Sequence, residues 1–296
     1  MSEKVKAINS PTELGEKSIG GLLRQYAVPA IIAMTASSLY NMVDSIFIGQ
    51  GVGSLAISGL AVTFPLMNIS AAFGSLVGVG ASALVSMLLG QKNHKVARKV
   101  LGNVMTMNVV LGVLLMVFGL LFLDPILYFF GASGNTIGYA REYMIYILLG
   151  NVVTHLYLGL NAVLRSAGRP KVAMWATILT VVLNTILDPL FIFVFDMGVS
   201  GAALATVISQ AVSFVSCALF LLINKEKFRL NIRFRHFVRW NGEMLGDLVK
   251  LGTPMAIKTA SIHISKLFVN SWINSYGVEV SAFAGIANKI NSISNL

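Results

Sequence analysis

From Leu22 onward the chain is a succession of apolar stretches, each at least about as long as the roughly 20 residues a helix needs to cross a bilayer. They run Leu22–Ile48, Ala56–Leu89, Val100–Leu123, Tyr143–Val163, Val172–Phe195, Val199–Ile223 and Leu248–Tyr276, and a further one opens near Val280. In hydrocarbon every backbone N–H and C=O must be bonded internally, and segments of this length satisfy that as helices. The expected fold is an all-α polytopic membrane protein. Composition bears on the choice at two points. Only 11% of the residues are charged, against about 25% in a soluble domain. The single cysteine excludes a disulfide framework and any Cys-rich metal centre.

The basic residues fix the expected orientation. Lys4, Lys6, Lys17 and Arg24 precede or open the first span, and Lys92, Lys95, Arg98 and Lys99 follow the second. Arg165, Arg169 and Lys171 follow the fourth; Lys225, Lys227, Arg229, Arg233, Arg235, Arg239 and Lys250 follow the sixth. That places 18 of the 22 Lys and Arg on one side, while Arg141 stands beside a loop of the other. By the positive-inside rule the N-terminus and these segments face the cytoplasm. Residues 1–21 are polar, lack the apolar core of a signal peptide, and read as a cytoplasmic tail. Because topology explains the positive charge, and no base-stacking array accompanies it, nucleic acid is excluded as a partner. Residues 224–247 read as a basic interlobe linker that can lie on anionic headgroups.

The second span is longer than one straight crossing, so tilt, a bend at Pro65 or extension past the bilayer must absorb the excess. Gly74, Gly78, Ser82, Ser86 and Gly90 recur every fourth residue along it, the pattern of a close helix–helix contact. Residues 78–83 (GVGASA) match a dinucleotide fingerprint in letters only, since no strand precedes them.

The seventh span resembles the first. Pro29 in YAVPAII matches Pro254 in LGTPMAI, and AISGLA at 56–61 matches AFAGIA at 282–287. Six spans, a linker and a restart describe a parallel repeat whose halves face a central cavity. The expected organisation is a tail over 1–21, a six-helix lobe over 22–223, a linker over 224–247, and the start of a second, pseudo-twofold-related lobe over 248–296.

Polar side chains inside spans point to function. An Asp at a span centre costs about 2.5–3.5 kcal/mol on insertion scales. Asp44 lies about a turn from the outer end of span one, and Asp188 about two turns from that of span five. Asn184 shares a helical face with Asp188, and Thr206 on span six falls at a similar depth. Two carboxylates, an amide and a hydroxyl offer oxygen ligands to a small hard cation such as Na⁺; a proton is the alternative occupant. Pro189 and Pro29 each remove a backbone donor where a helix has to change shape. Asp44 corresponds to Val269 in the repeat, so an acid-based site belongs to the first lobe alone. Lys258 is close enough to the cytoplasmic end to snorkel, whereas Lys266 is deeper and suits a cavity or an acid partner. His155 and His263 are expected to bond between helices rather than bind an ion.

The strings YNMVDSIFIGQGVG (40–53), LRSAGRPK (164–171), VLNTILDPLFIF (182–193) and GVSGAALATVISQ (198–210) resemble the MATE family, the multidrug and toxic compound extrusion transporters. They are closest to the prokaryotic branch with acids in spans one and five. The resemblance implies export of organic, typically cationic, drugs from a prokaryotic cell in exchange for Na⁺ or H⁺. It implies a multi-pass protein of the plasma membrane, monomeric, with no organic cofactor. It places the coupling-cation site on Asp44, Asn184, Asp188 and Thr206, the helix bend at Pro29, and Tyr40 and Asn161 near the first-lobe substrate cavity. Twelve spans at this spacing need about 470 residues, so most of a second lobe is expected to be missing. Two rival readings remain open from the residues. A lipid-linked precursor flippase of the same superfamily predicts more cavity arginine than Arg141 supplies. An intramembrane aspartyl protease also uses two aspartates, but the GxGD string of such enzymes is absent.

Overall fold

The structure is a computed structural model that describes residues 18–91, 93–224 and 242–274. Its elements, in order, are α1 (Ile19–Gly51), α2 (Ser54–Gly90), α3 (His94–Leu121), α4 (Leu123–Phe129), α5 (Ile137–Leu149), α6 (Asn151–Ser166), α7 (Pro170–Pro189), a π-helical turn (Leu190–Val194), α8 (Gly198–Ile223) and α9 (Gly242–Asn274). Among the described residues there is no strand. Five of the helices are long and apolar enough to cross a membrane singly, and α5 with α6 passes the same test as a bent pair. The protein is all-α and multi-pass, as the apolar periodicity requires. The tail, most of the linker and the eighth span lie outside the described residues, as does the 282–287 copy of the repeat motif. The first helix opens at Ile19, within the stretch read as tail, and α9 opens at Gly242, within the stretch read as linker.

Local chemistry explains the helix limits. The side chain of Asn93 accepts the Val96 N–H at 3.3 Å and caps α3. Pro170 stands in the first turn of α7, where its missing N–H leaves no bond unmade. The two-residue connection between α1 and α2 turns on Gly53, whose φ of 112° suits a residue without a side chain. At the outer end of α7, Pro189 removes a donor, and the backbone continues as a π-helical turn before α8.

Span two is a single helix of 37 residues with Pro65 inside it, about 55 Å long at 1.5 Å per residue. Its excess over the hydrocarbon core is taken up without a break. Span four differs from the expectation of one continuous crossing: it is two helices, α5 and α6, meeting at 56° around Gly150. A Cβ on Gly150 would collide with the side chain of Val207 on α8, so the glycine admits that neighbour where the chain bends.

The small-residue stripe of α2 does what its spacing indicates. A Cβ on Gly78 would come 3.2 Å from that of Ala162, Ser82 Oγ donates to the Ala162 carbonyl at 3.0 Å, and Ser86 Oγ to that of Ser166 at 3.5 Å. The stripe is the seat of α6, so its fingerprint-like letters are packing.

Two apolar clusters occupy the two ends of the bundle. One, toward the basic end, holds Val77, Leu84, Leu101, Leu164, Leu221 and Leu248. The other, toward the opposite end, holds Ile48, Leu60, Leu127, Met144, Leu148 and Ile192. On α8 the polar Thr206, Ser209 and Ser213 fall between the residues given to each cluster, and all three are buried. A polar layer therefore sits in mid-bundle. Large apolar side chains such as Leu114, Phe118 and Leu219 face outward, the reverse of a soluble protein and the arrangement lipid favours.

The repeat has a counterpart in helix geometry. The helices α1 and α9 each carry a proline in their interior, Pro29 and Pro254. Neither proline breaks its helix.

Candidate functional site

The helix α1 runs on to Gly51, so Asp44 lies seven residues, about two turns, from its end rather than one. That brings it level with Asp188, and the two carboxyls meet side chain to side chain. Asp188 is fully buried and Asp44 nearly so. Asn184, one turn below Asp188, donates its amide N–H to Asp188 Oδ1 at 3.1 Å and to Thr206 Oγ1 on α8 at 3.2 Å. The Tyr40 hydroxyl, one turn before Asp44, lies 3.2 Å from the same Thr206 oxygen. All four residues singled out on cost and depth thus converge from α1, α7 and α8.

What the cluster lacks is donors. Asp44 Oδ1, Asp188 Oδ2 and Asn184 Oδ1 are buried and without a hydrogen-bond partner. Buried polar atoms are rarely left so, and three oxygens orphaned in one cluster call for a proton or a cation among them. The set is two acids, an amide and a hydroxyl. These offer oxygen atoms only, the ligand type that suits a small hard cation or a proton.

Tyr40 and Asn161 part company. Tyr40 joins the acid cluster through Thr206. Asn161 is buried between α6 and α7, its amide donating to the Ala173 carbonyl at 3.0 Å and to Thr177 at 3.4 Å. It extends a polar file that includes Tyr157 to Thr177 at 3.2 Å and Thr180 to Ser213 at 2.7 Å. Pro29 is buried within α1.

One residue of the cluster escaped sequence reasoning. Tyr143, buried on α5, lies within electrostatic reach of Asp44, Tyr40 and Asp188. A tyrosine at the mouth of a span reads as an interfacial anchor, and only the fold turns it inward.

The other polar candidates have structural partners. His155 is fully buried, with Nε2 3.1 Å from Ser70 Oγ on α2. The Ser70 hydroxyl proton goes to Asn151 Oδ1 at 2.7 Å, so His155 Nε2 is the donor to Ser70, an interhelical role as expected. Arg141 makes a two-pronged bond to Asp124 at 2.8 and 2.7 Å, joining α5 to α4 at the rim. This engages the arginine considered for the flippase reading. Lys258 is exposed; the side chains of His263 and Lys266 lie outside the described residues.

With this geometry in place, comparison with known proteins is decisive. The MatE family model matches residues 29–190, more than half of the chain. The chain belongs to the MATE family. It is 30% identical over 268 residues to the multidrug export protein MepA of Staphylococcus aureus, an alignment covering 90% of this chain and 59% of that protein. A crystal structure of a MATE protein in the bent conformation superposes with a TM-score of 0.85 at 26% identity, covering 96% of this chain and 65% of that one. An outward-facing structure of a multidrug resistance MATE transporter superposes at 0.86 and 26%, covering 99% and 63%. The chain spans about three fifths of the length of the curated relatives it matches. The family is one of transporters, not enzymes. That disposes of the protease reading, which the closeness of Asp44 and Asp188 alone would have left standing.

Proposed function

We propose that this chain forms the cation-coupled part of a secondary active multidrug exporter, taking up Na⁺ or H⁺ as it expels organic, mainly cationic, compounds. The observation that carries the reading is the trio of buried, unpartnered oxygens on Asp44, Asp188 and Asn184. At about 4 Å and an effective dielectric constant of about 20, two like charges repel by about 4 kcal/mol. A monocation or a proton between the carboxylates relieves that repulsion and supplies the missing partner.

Coupling requires the ion to favour one conformation, since equal affinity for both shifts nothing. The site is suited to this because its ligands come from separate helices. Asp44 and Tyr40 ride on α1, while Asp188 and Asn184 ride on α7 just before the π-helical turn. Movement of α1, with Pro29 as its weak point, makes or unmakes the cage. The distribution of basic segments supports an N-terminus in the cytoplasm of a prokaryotic cell, and the proposed organisation is a monomer with its first lobe over 22–223 and its second from 248.

The test uses the full-length protein in liposomes with the Na⁺ and pH gradients imposed separately. Drug movement should follow one gradient and be lost in both Asp44→Asn and Asp188→Asn at unchanged expression. Gradient-driven transport that survives both substitutions removes the assignment.

A further inference from the structure

At the opposite end of the α1–α7 pair from the acids lies a cavity of about 600 Å³. Arg24 on α1 and Lys171 in the first turn of α7 form its polar part. Among the described residues neither is paired with a carboxylate, in contrast to Arg141, which has Asp124. The rest of the wall is apolar: Val28, Ile32 and Trp175 face it. Trp175 is 63% exposed, so the cavity opens onto a face that no other described residue covers.

We propose that this cavity binds one anionic phospholipid, with the phosphate between Arg24 and Lys171 and an acyl chain along Val28, Ile32 and Trp175. Each part of the wall argues for that class of ligand. Two uncompensated cations select an anion and repel the cationic compounds the acid cluster would attract. A free inorganic anion would fill only the polar corner of so large a space and leave the apolar wall unused. Basic pockets between helices at a membrane surface are where lipid phosphates are held, and an exposed tryptophan at that depth is an interfacial anchor. The bound lipid bridges α1 to α7. Its contacts on α1 lie on both sides of Pro29, and it ties together the two helices that carry Asp44 and Asp188, at the end of the pair away from the acids.

The experiment is native mass spectrometry of the full-length protein equilibrated with phosphatidylglycerol or phosphatidylcholine of matched chains. The protein should retain at least tenfold more phosphatidylglycerol, and Arg24→Gln with Lys171→Gln should abolish that excess. Lys99→Gln with Lys250→Gln, which removes two charges at the same end of the bundle, should leave it intact. Equal retention of the two lipids, retention undiminished by the first pair, or retention lost equally with the second pair overturns the proposal. So does inorganic phosphate that protects against thermal unfolding as well as the lipid does, which would indicate a free-anion site. A measurement that leaves Arg24 and Lys171 in place covers the case of charge variants that do not fold. Bromine-labelled phosphatidylglycerol should quench Trp175 emission, read as the difference from Trp175→Phe, more strongly than bromine-labelled phosphatidylcholine, and equal quenching overturns the site.

Discussion

The amide nitrogen of Asn184 stands 3.1 Å from Oδ1 of Asp188, one helical turn further along α7. Its second proton goes to Thr206 on α8 at 3.2 Å, which fixes the amide with its oxygen turned away from the acid and left unpartnered. The reverse orientation would set an amide oxygen against a carboxylate oxygen. Asn184 therefore holds Asp188 in place, and under the proposed function its free oxygen is offered to the coupling ion.

Replacing Asn184 by Ala removes both roles without adding charge. The expected outcome is at least a tenfold rise in the coupling-ion concentration needed for half-maximal transport, with the protein still folded and inserted. Gln at this position moves the amide by one methylene and should rescue poorly. Ion dependence of drug transport in liposomes, measured beside thermal stability, checks this; an unchanged ion requirement in Asn184→Ala would take Asn184 out of the site.

The legibility of this cluster had a physical basis. Asp44, Asp188, Asn184 and Thr206 could be picked out because an acid in a span is costly and because topology fixes depth along each helix. Depth is one coordinate, however. Whether Tyr40 faces Thr206 or Asn161 faces Thr177 depends on the rotation of each helix about its axis, which the apolar pattern of a lipid-surrounded helix does not specify. The kink at Gly150 was hidden for a related reason. Residues 143–163 are apolar enough to read as one crossing, and Gly150–Asn151 at the bend could as well have been a small-residue helix contact and a buried polar group. Tyr143, at the mouth of that same span, was obscured by the commoner role of tyrosine at a membrane surface.

The kink yields a prediction of its own. Gly150 has ordinary helical torsions, φ −79° and ψ −6°, so it is needed for space and not for conformational freedom. Gly150→Ala should destabilise by about 1–3 kcal/mol, as overpacking does, because its methyl group would overlap Val207. Val207→Ala opens room for that methyl group. The double variant should recover much of the loss, with a coupling of at least about 0.5 kcal/mol between the sites. Thermal inactivation in detergent across the four proteins measures it. Strict additivity would mean that the bend has another cause.

A pH effect belongs to the rim. The Arg141 guanidinium holds the Asp124 carboxyl below its usual value, through a two-pronged hydrogen bond and then through charge. A carboxyl lowered in the folded state stabilises above its unfolded value, and that contribution is lost as pH falls through the lowered one. Both side chains are nearly half exposed, so the effect on global stability is small and screened by salt. Its local signature should be clear. At neutral pH, Asp124→Asn should speed amide exchange across α4, and at pH well below the carboxylate range the variant and the unsubstituted protein should exchange alike. Exchange in α4 that is insensitive to the substitution at neutral pH would show that the ion pair does not hold this helix.

The last prediction concerns the close contact between α2 and α9, the helix that carries Pro254. A Cβ on Gly80 would fall on the carbonyl oxygen of Leu248, and a Cβ on Gly252 on the carbonyl oxygen of Leu76. The two helices thus cross backbone to backbone through a reciprocal pair of glycines, the closest approach that small residues permit. Backbone atoms cannot rotate aside as a side chain does, so a larger residue at either glycine must push the helices apart. The crossing lies within the apolar cluster toward the basic end of the bundle, where Leu248 is fully buried, so separation opens that end. Spin labels at Gln91→Cys and Gly242→Cys, in a Cys217→Ser background, report the distance between the neighbouring ends of α2 and α9. Gly80→Val and Gly252→Val should each lengthen and broaden that distribution, while Gly90→Ala, whose Cβ meets nothing within 4 Å, should leave it unchanged. A distribution indifferent to both valines would show that α2 and α9 do not rely on this crossing to stay together.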